Sequence, residues 1–565
     1  MRSFASFVLV LSVALTAFPQ TKPSDPVRVS DPFRIGRGSF FSASPSRPGL
    51  DSPEPEEPAQ ISEDVREAIE LIRRNYVDTR KTDYDLLVKA SIEEMLHSLD
   101  PHSNYYDDAE FQELLTDQQS EYFGIGATIS NYTRDGATDT YVVATFADSP
   151  ASRAGLRFGD RIVQVNGADM RGKDSAYVRD RVRGRKGTVA RVTVERADSG
   201  RLETVEIRRN RVPQPSIPDA YILRPGIGYV DMSEGFNYTT SEELSVALAE
   251  LKRQGMRSLI LDLRDNTGGI LDQAVKVAEK FLPFGSVVVT QRGRFAIDNR
   301  TWKATDRNPE TMPLVVLVNE QTASASEIVS GALQDYDRAL IIGENTFGKG
   351  LVQSILELPY RSGLTLTTAK YYTPSGRSIQ RDYSNSGLYN YYNHKQEIAA
   401  SRRTESKTLT GRPVFGGDGI NPDEVVKSDL VSRHQLALLD PIFFFTRVLS
   451  KGGISGLESY RVSGPLRYGQ RVQPADHIVD DGVLKAFGDF LRANPEWRSF
   501  ATIAERERGF VSLRLRYNLV TAAFGTVSAK QVLIENDNQV GKAVETLPRA
   551  EQLSQAANRA RLRRK

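Results

Sequence analysis

NEQTASASEIVSGALQDYDRALIIGENTFGKGLVQ, residues 319–353, is the stretch around which the rest of the chain is organised. It follows the apolar run 313–318 and places the small residues Ala323–Ser326 ahead of a helical pattern that starts at Glu327. A second short apolar run then leads to Lys349, which lies between two glycines. This order of strand, small-residue turn, helix, strand and glycine-flanked lysine predicts that the turn and the lysine meet in space.

The turn and the lysine together suggest a serine nucleophile with a lysine as its general base. A serine at a helix start lies beside outward-facing N–H groups, which favour a developing oxyanion. A free lysine is protonated near pH 7, because its reference pKa is about 10.4, but burial lowers that pKa. None of the five histidines lies within the stretch, so a Ser-His-Asp triad stays open but unsupported. Spacing alone does not separate Ser324 from Ser326.

Three short motifs in this stretch resemble the core of the C-terminal processing peptidases, also called tail-specific proteases. They are Ser324–Glu327, Phe347–Gly350 and Gln353. The resemblance implies Ser324 as the nucleophile, Lys349 as the base and Gln353 as the residue that orients the lysine. It also implies a crotonase-like (ClpP-like) α/β fold for the catalytic domain, and it extends over much of the chain before and after these motifs.

Paired glycines, Gly268 and Gly269, lie between an apolar strand pattern and a helical pattern. Glycines in this position let backbone amides face a ligand. The family resemblance implies that one of these glycines forms the oxyanion hole together with Ala325. The alternative is that the glycines only make a tight turn between a strand and a helix.

Residues 120–212 resemble a PDZ domain. The motifs that carry the resemblance are YFGIGA at 122–127, SPASRAGL at 149–156 and FGDRIVQVNG at 158–167. The glycines of the first motif free a loop whose N–H groups can hold a peptide carboxylate, and the next strand offers an edge for β-augmentation. A small β domain without a ligand is the alternative. The candidate residues for binding a substrate C-terminus are Phe123, Gly124, Ile125 and Gly126.

The whole chain of 565 residues predicts a multidomain α/β protein in which helical regions flank the PDZ and peptidase domains. A short basic start and an apolar run predict a cleaved signal peptide, because a membrane span needs about 20 apolar residues. A Pro-, Ser- and Glu-rich segment follows and predicts a flexible linker. The predicted segments are the signal peptide 1–20, linker 21–60, N-terminal helical region 61–119, PDZ domain 120–212, peptidase domain 213–428 and C-terminal helical region 429–565.

Composition limits the chemistry. The chain has no cysteine, so disulfides, thiolate metal sites and a cysteine nucleophile are excluded. A net charge of +2 gives no bulk preference for nucleic acid. No HExxH or similar metal spacing is present, and we expect neither a metal nor a cofactor. After removal of the signal peptide, no further stretch is apolar and long enough to span a membrane.

The sequence therefore predicts an exported serine endopeptidase of the periplasm or cell envelope. Its expected partners are protein or peptide substrates with accessible C-termini, and a homodimer or an envelope adaptor protein is a further candidate. The first alternative is a catalytically inactive PDZ scaffold in the cell envelope. The second is a crotonase-like enzyme acting on acyl thioesters, which an export signal and a PDZ domain make improbable.

Overall fold

The structure is a computed structural model that describes residues 58–117, 121–383, 391 and 404–564. The predicted signal peptide 1–20 and residues 21–57 of the predicted linker lie outside the described residues. The first helix begins at Pro58 and ends at Asn75. Two more helices, Tyr84–His97 and Asp108–Asp117, complete the N-terminal region together with the short strand Asn104–Tyr106.

The predicted PDZ domain contains an antiparallel sheet with a strand at its edge, Ala127–Arg134, that follows the YFGIG motif. In the strand Val189–Glu195 the buried residues alternate with more exposed ones, as expected for a sheet with one buried face. Two helices, Pro150–Arg153 and Ser175–Val182, pack on this sheet. The remaining strands are Ala137–Thr145, Arg161–Val165, Ala168–Asp169 and Leu202–Arg208, beside a separate two-stranded ribbon of Glu121–Gly124 and Asn210–Pro213.

A six-stranded sheet forms the centre of the predicted peptidase domain. Its strand Leu314–Val318 is buried at every residue, because the sheet is covered on both faces. The first two strands pair antiparallel and the other neighbours pair parallel. In spatial order the strands are Asp219–Arg224, Ile227–Asp231, Ser258–Asp262, Leu314–Val318, Leu340–Gly343 and Glu424–Val425.

Helices cover the two faces of this sheet. Alternate residues such as Val316 and Val315 point to opposite faces and belong to different apolar clusters. One cluster is formed with the helices Thr240–Arg253, Leu271–Glu279 and Ala325–Asp335. The other is formed with the last helix, Asn538–Arg564, so the C-terminal region supplies one whole covering layer of the peptidase sheet.

A second sheet, entirely antiparallel, lies beside the catalytic stretch. Its central strand Gly363–Tyr372 pairs with Leu351–Glu357, which follows the glycine-flanked lysine. The same central strand pairs with Asn104–Tyr106 from the N-terminal region and with Val287–Gly293. The remaining strands are Arg300–Lys303 at the edge of this sheet and a separate hairpin of Thr404–Lys407 and Pro413–Gly416.

The C-terminal region is helical. The helix Leu439–Leu449 carries a proline in its first turn, where a missing N–H is tolerated. Phe443 of this helix stacks on Tyr132 of the PDZ domain, with ring centroids 3.5 Å apart. The other helices are Arg433–Ala437, Asp481–Ala493, Ala501–Arg506, Arg508–Phe524, Thr526–Ile534 and Asn538–Arg564, and short 3₁₀ turns lie at Thr79–Lys81, Ala296–Asp298, Pro359–Arg361, Glu458–Tyr460 and Arg498–Phe500.

Candidate active site

Ser324 lies at the turn between the strand Leu314–Val318 and the helix Ala325–Asp335. Its backbone has φ 55° and ψ −115°, a conformation that a residue with a side chain rarely adopts and that costs about 1–3 kcal/mol. Such strained turns concentrate at functional sites. Ser324 is half-buried, so its hydroxyl stands at the margin of the packed domain.

Ser326 is in a different environment. It is fully buried, and its hydroxyl donates to the side-chain oxygen of Asn266 at 2.7 Å and lies 3.0 Å from the backbone oxygen of the same residue. The Ser326 hydroxyl therefore holds the loop that precedes Gly268. Of the two serines that spacing leaves equivalent, Ser324 is the one at the surface of the site.

The carboxylate of Glu327 connects the serine turn to the lysine loop. Its Oε2 accepts the N–H of Ser324 at 2.8 Å and the N–H of Lys349 at 2.9 Å. Its Oε1 accepts the N–H of Gly348 at 2.8 Å and the hydroxyl of Thr346. Glu327 is fully buried, and burial raises its pKa to about 7, while these hydrogen bonds oppose the rise.

Tyr371 makes a second connection between the same two segments. Its hydroxyl lies within hydrogen-bond distance of the backbone oxygens of Ser324 and Lys349, at 3.1 Å from the former. The ring is buried in the core of the peptidase domain. Sequence analysis missed the roles of Glu327 and Tyr371, although an acidic side chain three residues after a serine at a helix start is a recognisable signal.

Lys349 is half-buried beside this cluster. Burial lowers its pKa to about 8, although the carboxylates of Asp100 and Glu327 oppose the change. The nearby His102 is held neutral, because burial and the positive charge of Lys349 lower its pKa to about 2. Its Nε2 lies 2.8 Å from the hydroxyl of Tyr391. His102 is therefore a packing and hydrogen-bonding residue at the site.

Gln353 lies on the strand Leu351–Glu357, directly after an irregularity in the pairing of that strand. Its Nε2 donates to the hydroxyl of Thr367 at 3.1 Å, and the described residues show no hydrogen bond between Gln353 and Lys349. The backbone N–H of Thr367 in turn donates to Ser103 at 3.0 Å, and Ser103 donates to Asp100 at 2.7 Å. This chain links Gln353 to the turn that carries Asp100.

Gly268 packs directly against the serine turn. A methyl group placed on Gly268 would lie 2.7 Å from Cβ of Ser324 and 3.0 Å from the backbone nitrogen of Ala325. The N–H of Gly268 donates to the side chain of Asn266 at 2.9 Å. Within the described residues, the N–H groups of Gly269 and Ala325 have no such partner. The two glycines differ in their surroundings: Gly268 packs against Ser324, whereas Gly269 packs against the backbone of Phe236 and has an open N–H donor.

The four candidate PDZ residues lie at the end of one strand and in the turn that leads to the next. Phe123 and Gly124 belong to the strand Glu121–Gly124, which pairs with Asn210–Pro213. The backbone oxygen of Ile125 accepts the N–H of Ala151 at 2.7 Å, and that of Gly126 accepts the N–H of Phe146 at 3.1 Å. In the described part of the chain, the N–H groups of Ile125 and Gly126 have no backbone acceptor. Two open donors therefore precede the edge strand of the domain.

Comparison with known proteins identifies both domains. The peptidase family S41 profile matches residues 226–385, and a PDZ domain profile matches residues 142–196. The chain is 36% identical over 323 residues to the carboxy-terminal-processing protease of Bartonella bacilliformis, covering 55% of this chain and 70% of that protein. It is 33% identical over 316 residues to the carboxyl-terminal-processing protease of Picosynechococcus sp., covering 55% and 74%.

Among solved structures, the photosystem II D1 C-terminal processing protease is 27% identical, with a TM-score of 0.34, and covers 64% of this chain and 92% of that one. A PDZ domain joined to an S41 peptidase domain defines a serine-type peptidase, which is a hydrolase. The chain belongs to the C-terminal processing peptidases, as its sequence motifs predict. No helix among the described residues is long and apolar enough to cross a membrane.

Proposed function

We propose that this peptidase cleaves peptide bonds with a Ser324–Lys349 dyad, after its PDZ domain has bound the C-terminus of the substrate. The observation that carries the proposal is the shared acceptor of the two residues, the Oε2 atom of Glu327, which receives both backbone N–H groups. The hydroxyl of Tyr371 supports the same arrangement, because it contacts the backbone oxygens of both residues. We also propose that the six-stranded sheet with its covering helices is a crotonase-like core.

The proposed reaction begins with a neutral Lys349. Its amine takes the proton of the Ser324 hydroxyl while the serine oxygen attacks the carbonyl carbon of the substrate. The N–H groups of Ala325 and Gly269 stabilise the oxyanion. Ala325 begins the helix that follows Ser324, Gly269 lies in the neighbouring loop, and among the described residues neither N–H has another acceptor. Protonated Lys349 then gives its proton to the leaving amine. Water, activated by the again neutral lysine, hydrolyses the acyl-enzyme.

A pKa near 8 suits this role. A general base works best when its pKa lies near the working pH, because it must be neutral before the reaction and basic enough to accept a proton. Burial brings the pKa of Lys349 into that range. Gln353 retains its proposed role as an orienting residue, through its bond to Thr367 and the turn that carries Asp100.

The N–H groups of Ile125 and Gly126 are proposed to bind the terminal carboxylate of the substrate, with Phe123 and Gly124 shaping the turn. The edge strand Ala127–Arg134 would then pair with the substrate backbone by β-augmentation. The substrates are accordingly protein or peptide chains with accessible C-termini. This route fits the names of the relatives, which are carboxy-terminal-processing proteases.

The experiment that tests the proposal is degradation of an unstructured protein by the purified mature enzyme. We expect Ser324→Ala and Lys349→Ala to abolish cleavage, whereas the exposed matched controls Ser245→Ala and Lys370→Ala keep it. Blocking the substrate C-terminus should slow cleavage by wild type. Equal cleavage by wild type and Ser324→Ala would contradict the assigned nucleophile, and a folded wild type that binds tails without cleaving them would favour the scaffold.

Export to the periplasm or cell envelope is proposed from the basic and apolar start of the sequence. A mature protein that lacks residues 1–20 and fractionates with the envelope would support it. A cytosolic protein that retains its first residues would contradict it. The same fraction, analysed by size after crosslinking, would show whether a second copy or an adaptor is bound.

A further inference from the structure

Two loops at the carboxyl edge of the six-stranded sheet determine where Gly269, one of the two proposed oxyanion donors, lies. One follows the strand Ile227–Asp231, and the other follows the strand Ser258–Asp262. They pair with each other, because the N–H of Phe236 donates to the oxygen of Gly268 at 2.8 Å and the N–H of Ile270 donates to the oxygen of Phe236 at 2.8 Å. A shift of either loop would therefore move Gly269, which lies between these two bonds.

The C-terminal region reaches the second of these loops through Arg264. The guanidinium of Arg264 donates to Asp537 Oδ2 at 2.7 Å and to Gln539 Oε1 at 2.8 Å. The same guanidinium donates to Asp262 Oδ2 at 2.6 Å, at the end of the preceding strand. Gln539 also donates to the backbone oxygen of Val426 at 2.7 Å, which fixes its own orientation. Arg264 is thus held from both sides, two residues before Asn266.

The first loop is contacted by Lys530, from the helix Thr526–Ile534. The Lys530 ammonium lies 2.8 Å from Asp231 Oδ2 and 3.0 Å from the hydroxyl of Ser233. Asp231 also accepts the N–H of Ser233 at 3.0 Å. One C-terminal side chain therefore binds both the last residue of the strand and the start of its loop, three residues before Phe236.

These polar contacts are shielded from water. The side chains of Asp231 and Arg264 are 2% and 12% exposed. Charge-assisted hydrogen bonds with little water around them are directional and strong, and loss of one partner leaves a buried charge uncompensated. The last helix is already attached to the sheet by Val540, Ala543 and Leu547, which pack in an apolar cluster. Attachment of the helix alone does not require charged contacts to these loops.

We propose that Lys530, Asp537 and Gln539 are positioning residues of the active site, through which the C-terminal region holds the loop that carries Gly269 and the loop that pairs with it. This inference rests on the proposed oxyanion role of Gly269 and Ala325. In the alternative, the same contacts only stabilise the C-terminal region. The two differ in what a variant changes: positioning alters the catalytic rate constant and the mobility of the loops, whereas simple attachment alters stability alone.

The test uses the full mature chain and the variant Asp537→Asn. Asp537 Oδ1 also accepts the N–H of Val540 at 2.9 Å at the start of the last helix, and asparagine is an equally good cap. The substitution therefore keeps the hydrogen bond that caps the last helix. It removes the negative charge that faces Arg264 and places an N–H₂ group or a neutral oxygen there. Lys530→Met is the second variant. Glu535→Gln is the matched control, because Glu535 pairs with Arg516 inside the helical region at 2.6 Å.

We expect kcat to fall by about 10- to 100-fold in Asp537→Asn and Lys530→Met, with KM changed by less than about 2-fold, because a misplaced catalytic group costs rate more than binding. Glu535→Gln should keep the wild-type kcat. Unfolding temperatures of all three variants measure the structural effect separately. A kcat equal to that of the control at equal unfolding temperature would overturn the proposal.

Amide hydrogen exchange of the peptide covering residues 263–270 provides a readout that does not depend on cleavage. Asp537→Asn should speed exchange in this peptide, with no change in the PDZ domain, whereas the control should match wild type. Unchanged exchange would overturn the inference even if cleavage were confirmed. Faster exchange in an enzyme whose Ser324→Ala variant still cleaves would instead overturn the proposed dyad and leave the positioning contact standing.

Discussion

The backbone N–H groups of Ser324 and Lys349 donate to one carboxylate oxygen, Oε2 of Glu327, at 2.8 and 2.9 Å. Twenty-five positions separate the two residues in sequence, and one buried side chain fixes their relative position. Glu327, together with Tyr371, therefore determines where the proposed nucleophile lies relative to the proposed base. The structure of the site depends on this acid as much as on the dyad itself.

Replacement of Glu327 by glutamine should separate the two segments. In the wild type, both oxygens of the Glu327 carboxylate accept backbone N–H groups. A glutamine keeps one of these acceptor oxygens and replaces the other with an N–H₂ group, which would face an N–H donor. We expect kcat to fall about 100-fold and the free energy of unfolding to fall by about 2–4 kcal/mol. The exposed Glu320→Gln is the control. Wild-type kinetics in Glu327→Gln, measured beside chemical denaturation, would contradict this account.

The pH dependence of kcat/KM reports the base, Lys349, together with the carboxyl of Glu327, whose pKa is about 7. Lys349 acts when neutral, so activity should rise with pH and reach half its maximum near the pKa of about 8. His102 does not contribute to this profile, because burial keeps its pKa at about 2. Initial rates with a substrate that has no ionisable side chains would measure the profile. A rate that is flat from about pH 6.5 to 9.5 would argue against a lysine base.

Stability should depend on the same lysine. Its pKa falls from 10.5 in the unfolded chain to about 8 in the folded protein, so between these values the unfolded chain binds more protons and stability rises with pH. Below pH 8 the buried charge costs up to about 3 kcal/mol. Lys349→Met should therefore be more stable than wild type at pH 7, and the difference should shrink from pH 8 to 10.5. Denaturation at several pH values measures it; a difference independent of pH would exclude this cause.

The elements of the catalytic stretch follow from local sequence. The apolar run predicts a strand at Leu314–Val318, where the structure has it, and the helical pattern predicts a helix over most of Ala325–Asp335. Both signals are periodic and short-range. The family motifs then pick out Ser324 and Lys349, which the structure brings to one acid.

Other features of the site have no periodic signal. In the sequence, Glu327 resembles any acidic residue in the first turn of a helix. The N–H groups of Gly348 and Lys349 that donate to its carboxylate come more than 20 residues later, after the next strand. The contact of Asp537 with Arg264 joins residues that are 273 positions apart. Such contacts depend on the packing of whole elements, so local patterns do not predict them. The orienting role of Gln353 stays a prediction.

Close approach at Gly268 gives a test of the oxyanion side. An added Cβ would lie 2.7 Å from Cβ of Ser324 and 2.8 Å from the oxygen of Ala323, and the φ of 101° already disfavours a side chain. We expect Gly268→Ala to lower kcat at least about 100-fold. Gly255→Ala is the matched control, since its φ is 89° but no atom lies within 4 Å. Comparable activity in the two variants would show that the close packing of Gly268 against Ser324 is not needed for catalysis.

The turn of the PDZ domain offers a matched pair of glycines. A Cβ on Gly126 would lie 2.4 Å from Cβ of Ser149, whereas one on Gly136 would meet no atom within 4 Å, although both have a positive φ of 75° and 73°. Gly126→Ala should therefore displace the open N–H donors of Ile125 and Gly126, and Gly136→Ala should only add backbone strain of about 1 kcal/mol.

We expect Gly126→Ala to raise KM about 10-fold for an unstructured protein with a free C-terminus and to leave the KM of a C-terminally amidated version unchanged. Loss of carboxylate binding should act on capture of the tail and not on the chemistry at Ser324, so kcat should stay near wild type. Because Gly136→Ala shares the strain but not the clash, it separates the two causes. An equal rise of KM for free and amidated substrates would mean that the turn acts through folding of the PDZ domain rather than through the terminal carboxylate.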